Sequence, residues 1–87
     1  MHEILLSKTF QKQFKTLDKP AQKRVMNALL ALEENPLKSR PGADIKELKN
    51  TKPQKHRIRI GDYRIVYLIE KNTVKIIEIF LRGRGYR

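Results

Sequence analysis

Arg57-Ile58-Arg59-Ile60-Gly61-Asp62-Tyr63-Arg64-Ile65-Val66-Tyr67 carries the strongest structural signal in the chain. It joins two alternating, β-branched runs through Gly61-Asp62, which is the pattern of an antiparallel hairpin. Successive side chains of a strand point to opposite faces, so Arg57 and Arg59 project together while Ile58 and Ile60 go to the other side. The same alternation separates Arg64, Val66 and Leu68 from Tyr63, Ile65, Tyr67 and Ile69. Arg82, at the end of the next predicted strand, joins this arginine face, and Tyr86 follows it. Like charges side by side on a sheet repel, so a fold does not collect them for its own stability. The cluster suits a ligand that spreads negative charge over several oxygens, and a polyphosphate backbone is the commonest.

On the C-terminal side, Lys71-Asn72 predicts a turn and residues 74–82 a further strand. On the N-terminal side, residues 3–7 predict a short strand. Ser7 stands where a helix N-cap is wanted, and Phe10, Phe14 and Leu17 form the apolar stripe of a short helix. Asp18 is a second N-cap with Pro20 tolerated in the first turn. Ala21, Val25, Ala28 or Leu29, and Leu32 then trace a longer helix that ends near Asn35-Pro36. Residues 36–43 read as a loop, Asp44 to Lys49 as a short extra strand around Ile45 and Leu48, and Asn50 to Pro53 as a turn region. The expected fold is α+β, with two N-terminal helices on one face of a twisted antiparallel sheet, in the order β-α-α-β-β-β plus the extra short strand. Ile58, Ile60, Ile65, Tyr67, Ile77 and Ile79 are expected under the helices. Val66, Leu68, Val74, Ile76 and Phe80 are then expected to share the arginine face. A face mixing charge with that much aliphatic surface calls for a protein partner as well as an anionic ligand.

Eighty-seven residues make one small domain, 1–87, that can fold alone with modest stability. The net charge of +11 is unevenly placed. Residues 1–35 carry six basic and four acidic side chains, residues 36–61 eight and two, and residues 62–87 six and three. The excess lies in the middle and toward the C-terminus, where a nucleic acid or an acidic protein can be gripped. Cysteine is absent, which excludes a disulfide framework and thiolate metal sites. No His/Asp/Glu group has ligand spacing, so no metal and no small-molecule cofactor is expected. No run approaches the roughly 18 apolar residues of a membrane span, and a soluble protein of the cytoplasm with no membrane partner is expected.

The hairpin, with its basic strand followed by Gly61-Asp62-Tyr63-Arg64 and an aliphatic-aromatic strand, resembles the signature of the RelE/ParE toxin superfamily. Ile45-Lys46-Glu47-Leu48-Lys49 is similar to that family's leucine-lysine segment, and Arg82 with Tyr86 to its terminal arginine and tyrosine. The order of elements agrees as well, so the resemblance covers nearly the whole chain. It implies a toxin of a type II toxin–antitoxin pair, silenced by a cognate RelB-like antitoxin. The retained arginines and the tail Arg82-Gly83-Arg84-Gly85-Tyr86-Arg87 look like the RelE branch, which implies a ribosome-dependent endoribonuclease that cuts mRNA in the decoding site. By position, Arg64 and Arg82 resemble that branch's phosphate-stabilising arginines, Arg57 and Arg59 its basic strand pair, and Tyr86 its terminal tyrosine. Many relatives have lysines in the strand pair and a histidine where this chain has Leu81. An arginine presents donors and no acceptor, which leaves Tyr86 as the remaining candidate to take a proton.

Metal-free RNA cleavage asks for little besides cations. A 2′-OH attacks the adjacent phosphate, charge builds on the nonbridging oxygens, and each preplaced guanidinium can supply about 3–4 kcal/mol against it. Arginine suits the task because its planar fork meets two oxygens at once. Lys46, Lys49, Lys52, Lys55 and Arg84 read as a rim that meets RNA phosphates without reading sequence. Tyr63 and Tyr67 alternate with isoleucines and read as core, and His56, in step with Ile58 and Ile60, reads as a packed histidine. Two rivals remain open: an inactive or gyrase-directed toxin of the same fold that acts by protein binding, and a basic RNA-binding module without catalysis.

Overall fold

The computed structural model describes residues 1–81. Its elements are β1 (Glu3–Leu6), α1 (Lys8–Lys15), α2 (Lys19–Glu34), β2 (Asp44–Glu47), β3 (Lys55–Ile60), β4 (Tyr63–Glu70) and β5 (Thr73–Leu81). The five strands form one sheet in the order β1-β5-β4-β3-β2, with the two helices on one of its faces. The expected fold class holds, with a refinement: β1 runs parallel to β5 at the far edge, while the other pairings are antiparallel. The helical crossover brings the chain back to lay β2 at the opposite edge of the sheet.

Both helices begin at the predicted caps. The Ser7 hydroxyl accepts from the Phe10 N–H at 2.9 Å, and the Asp18 carboxylate accepts from the Ala21 N–H at 2.9 Å, each satisfying a donor that a helix start leaves open. The longer helix, α2, stops at Asn35 in extended geometry, directly before Pro36. Val25 and Leu32 are fully buried against Ile58, Ile65 and Tyr67 of the sheet. At the hairpin tip Gly61 takes φ +56°, a left-handed conformation that glycine adopts without a Cβ clash.

One expectation about the core is corrected. Val74 and Ile76 lie in the core, whereas Ile77 is only half-buried and outside the core cluster. The cause is a register shift between Val66 and Tyr67: Tyr67 pairs with Ile76, but Val66 pairs with Glu78. The extra residue on β5 is a β-bulge, so the alternation of β5 changes phase at Ile77. Ile79 and Phe80 therefore fall as expected, Ile79 in the core and Phe80 on the other face, while the residues before the bulge swap sides.

The short β2 leaves an edge that could recruit another strand. Ser39 closes it at one point: its hydroxyl accepts from the Ile45 N–H at 2.8 Å and donates to the Ile45 carbonyl at 3.3 Å.

Tyr67 is fully buried, stacks on His56 at 5.5 Å and donates its hydroxyl to the Pro36 carbonyl at 2.6 Å. It ties the end of α2 to the sheet. Burial pushes its pKa well above the ordinary phenol value. A raised folded pKa means its contribution is complete below about pH 10 and is lost as the pH rises above that. Tyr67→Phe leaves a buried carbonyl without its donor and is expected to lose about 1–3 kcal/mol in urea unfolding at neutral pH. The variant should also lose part of the fall in stability that the parent shows above about pH 10.

Candidate nucleic-acid interface

The register of the hairpin fixes which side chains meet on the helix-free face. Arg57 pairs with Val66, Arg59 with Arg64, and Arg64 with Phe80. On the outer strand Lys46 lies opposite Arg57, and Asp44 opposite Arg59. Lys46, Lys55, Arg57, Arg59 and Arg64 therefore share one face. Lys49 and Lys52 are exposed on the loop between β2 and β3, at its border. Arg82, Arg84 and Tyr86 lie outside the described residues.

Arg57 and Arg64 line one small cavity of about 70 Å³, together with Leu48, Val66 and Phe80. Leu48 is held in place because its N–H donates to the Lys55 carbonyl at 2.9 Å, extending the β2–β3 ladder. Val66 is only 2% exposed although it belongs to the helix-free face and not to the main core cluster. The expected aliphatic character of this face is thus largely roofed over, and it forms the floor of a basic recess. A water needs only about 10–15 Å³ of such space, so the recess has room for phosphate oxygens.

The arginines are in different states. The Arg57 side chain is 13% exposed, and one of its terminal nitrogens donates to the Asp44 carbonyl at 3.0 Å and reaches the Asp44 carboxylate at 3.3 Å. Asp44 orients Arg57 and neutralises part of its charge. Sequence reasoning missed it, because the β2–β3 register that carries Asp44 toward Arg57 is not written in either strand alone. Arg59 is exposed and makes no ion pair among the described residues. Arg64 is half-buried, and its Nε is shielded from solvent with no acceptor among the described residues.

A buried donor without a partner costs about 1–3 kcal/mol, more when it is charged. Elsewhere on the sheet the fold does compensate charge: Lys75 sits 2.6 Å from Glu70 and holds that carboxyl below the usual range. At Arg59 and Arg64 it places two like charges directly opposite each other instead. Such an arrangement suits an anion with several acceptor oxygens. His56 takes no part: it is 7% exposed and packed on Tyr67. Among the described residues no His/Asp/Glu group could hold a metal ion.

The family of ParE toxins of type II toxin–antitoxin systems matches residues 4–86. The chain belongs to that family. It is a toxin of the RelE/ParE superfamily. Among solved structures it is similar to the RelE–RelB complex of Pyrococcus horikoshii, with TM-score 0.82, 28% identity and coverage of 97% of this chain and 98% of that one. The RelB–RelE antitoxin–toxin complex of Methanococcus jannaschii follows with TM-score 0.73, 25% identity and 88% of each chain covered. A toxin–antitoxin complex of Mycobacterium tuberculosis shares the fold at TM-score 0.77 and 21% identity, over 93% of this chain and 98% of that one. No curated protein matches the chain. No helix among the described residues is long and apolar enough to cross a membrane.

A charge the fold does not use can be removed without loss of stability. Arg64→Met keeps the aliphatic stem over Val66, and its unfolding free energy in urea should be unchanged or up to about 1 kcal/mol higher. Ile65→Ala, one residue along but on the core face, should lose about 2–5 kcal/mol. A loss at Arg64→Met as large as that at Ile65→Ala would make the arginine a structural residue.

Proposed function

We propose that this toxin is a ribosome-dependent endoribonuclease that cuts mRNA in the decoding site and is held silent by a cognate RelB-like antitoxin. The observation behind the reading is the recess in which Arg57 and Arg64 meet, with the Arg64 Nε buried and without an acceptor among the described residues. A phosphodiester in that recess gives the Nε its acceptor. It also receives a second guanidinium, from Arg57, which Asp44 has already oriented.

The chemistry follows from what the recess supplies. The ribose 2′-oxygen forms a bond to the adjacent phosphorus, and the bond from phosphorus to the 5′-oxygen of the next nucleotide breaks. The products are a 2′,3′-cyclic phosphate and a 5′-hydroxyl. Negative charge peaks on the nonbridging oxygens between these events, where fixed cations act most strongly. Arg57 and Arg64 are assigned to that charge, and Arg59 beside them to the neighbouring phosphate. Arg82 is assigned a phosphate-stabilising role and Tyr86 the proton transfer, both from their positions in the sequence. Lys46, Lys49, Lys52, Lys55 and Arg84 supply sequence-independent contacts to the RNA backbone. Holding the 2′-OH in line with the leaving oxygen contributes alongside the electrostatics.

The solved RelE–RelB complexes of similar fold support an antitoxin as the inhibitor. Charge complementarity calls for acidic residues where it meets Arg57 and Arg64.

Mapping of mRNA 5′ ends on translating ribosomes tests the proposal. The parent protein should create new ends phased to the reading frame, and none without ribosomes. Arg64→Ala should lower the cleavage rate by about 10²–10³-fold with the fold intact. The match to ParE toxins favours one specific rival, a gyrase-directed toxin. Growth arrest with lost supercoiling and no new mRNA ends would establish that rival and overturn the nuclease reading.

A further inference from the structure

On the helix side of the sheet a second recess, of about 360 Å³, opens between α2, the loop before β2 and the tip of the β3–β4 hairpin. Arg24 and Asn27 of α2 stand at its mouth, while Ala28, Ala31, Gly42, Ala43, Ile60 and Gly61 line it. Five of its eight lining residues are alanine or glycine, which leaves it open where larger side chains would fill it. Arg24 is exposed, and among the described residues no carboxylate pairs with it. Its guanidinium is near the hairpin tip: a Cβ added at Gly61 would lie 3.7 Å from an Arg24 terminal nitrogen. Among the described residues no acidic side chain lines the recess.

The position of this recess gives it meaning. Arg59 and Arg64 form the open-face pair one step from the hairpin tip, followed by Ile60 paired with Tyr63 and then the turn at Gly61. Two strand residues span roughly 7 Å, so the tip separates the two basic sites by a short path along its edge. A flexible strand lying on Arg59 and Arg64 can pass over the glycine and reach Arg24. Gly61, with no side chain, leaves that edge unobstructed.

We propose that this recess is a second RNA subsite, distinct from the arginine cavity, which takes one backbone phosphate on Arg24 and the adjoining ribose or base against Ala28, Ala31 and Ala43. It rests on the reading of the open face as an RNA site and extends that face around the hairpin tip. Arg24 supplies the fork for the phosphate, and Asn27 offers an amide to the sugar or base edge. The subsite holds the strand beside the scissile position without touching the reacting atoms. The RNA it holds is the flank of the strand being cut or, by the same chemistry, a strand of ribosomal RNA.

Binding separates this proposal from the catalytic one. The probes are two single-stranded RNAs with a 2′-deoxy sugar at the scissile position, one spanning only the open face and one long enough to round the hairpin tip. Arg24→Ala should weaken the longer probe by about tenfold and leave the shorter one unchanged. The slope of log affinity against log salt should fall by roughly 0.7 for the longer probe, as for one lost phosphate contact on a single strand. Arg24→Lys should restore most of the slope, and Lys23→Ala, an exposed neighbour outside the recess, should not reproduce the loss. If Arg24→Ala weakens binding to vacant ribosomes but not to the longer probe, the phosphate belongs to ribosomal RNA. Unchanged affinity for both probes and for ribosomes overturns the subsite. If Arg64→Ala still weakens both probes in that case, the failure is confined to the subsite. If it does not, the open-face reading falls with it.

Discussion

The molecule depends on the two-residue alternation of β3 and β4 and on the register that pairs Ile58 with Ile65. That pairing buries both isoleucines completely beneath the helices, and the burial of two such side chains contributes about 3–6 kcal/mol. It also dictates everything on the opposite side. With the isoleucines under α2, Arg57, Arg59 and Arg64 have no choice of face. A slip of one residue would bury the arginines and expose the isoleucines, so the same apolar burial that stabilises the domain fixes the position of its cations.

The cations themselves are arranged against the interest of the fold. Arg59 faces Arg64, and the Arg64 Nε is withdrawn from water with no acceptor among the described residues. Lys75, on the same sheet, is matched by Glu70. The contrast lies in the directly opposed like charges of Arg59 and Arg64. Strain of this kind persists where the surroundings hold it in place and a ligand relieves it. Leu48 and Phe80 wall the recess, and Val66 floors it. Low-dielectric walls of this kind strengthen each charge interaction within them.

Most of the architecture was legible because local signals agreed with one another. Ser7 and Asp18 cap the helices they were expected to cap, and Pro36 follows the end of the second. Gly61 makes the turn its neighbours required. The features that escaped the sequence are those set by pairing between distant strands. The bulge at Ile77 changes the phase of β5 and carries Val74 and Ile76 into the core; the doublet Ile76-Ile77 between Lys75 and Glu78 breaks the alternation at that point, and it is the one local sign of the shift. The parallel placement of β1 beside β5 and the contact of Asp44 with Arg57 arise in the same way, from register rather than composition. The arginine face was legible and its recess was not, because the recess depends on the loop residue Leu48 and on Phe80 arriving from beyond the bulge.

The central claim is that the recess of Arg57 and Arg64 receives a phosphodiester. The most direct test is to follow the Arg64 side-chain Nε–H resonance while titrating an RNA that carries a 2′-deoxy sugar at the scissile position. On saturation that resonance should shift strongly and its proton should exchange more slowly with water, since the phosphodiester gives the Nε an acceptor that no described residue supplies. RNA that binds elsewhere on the protein, with the Arg64 signal unmoved, would contradict it.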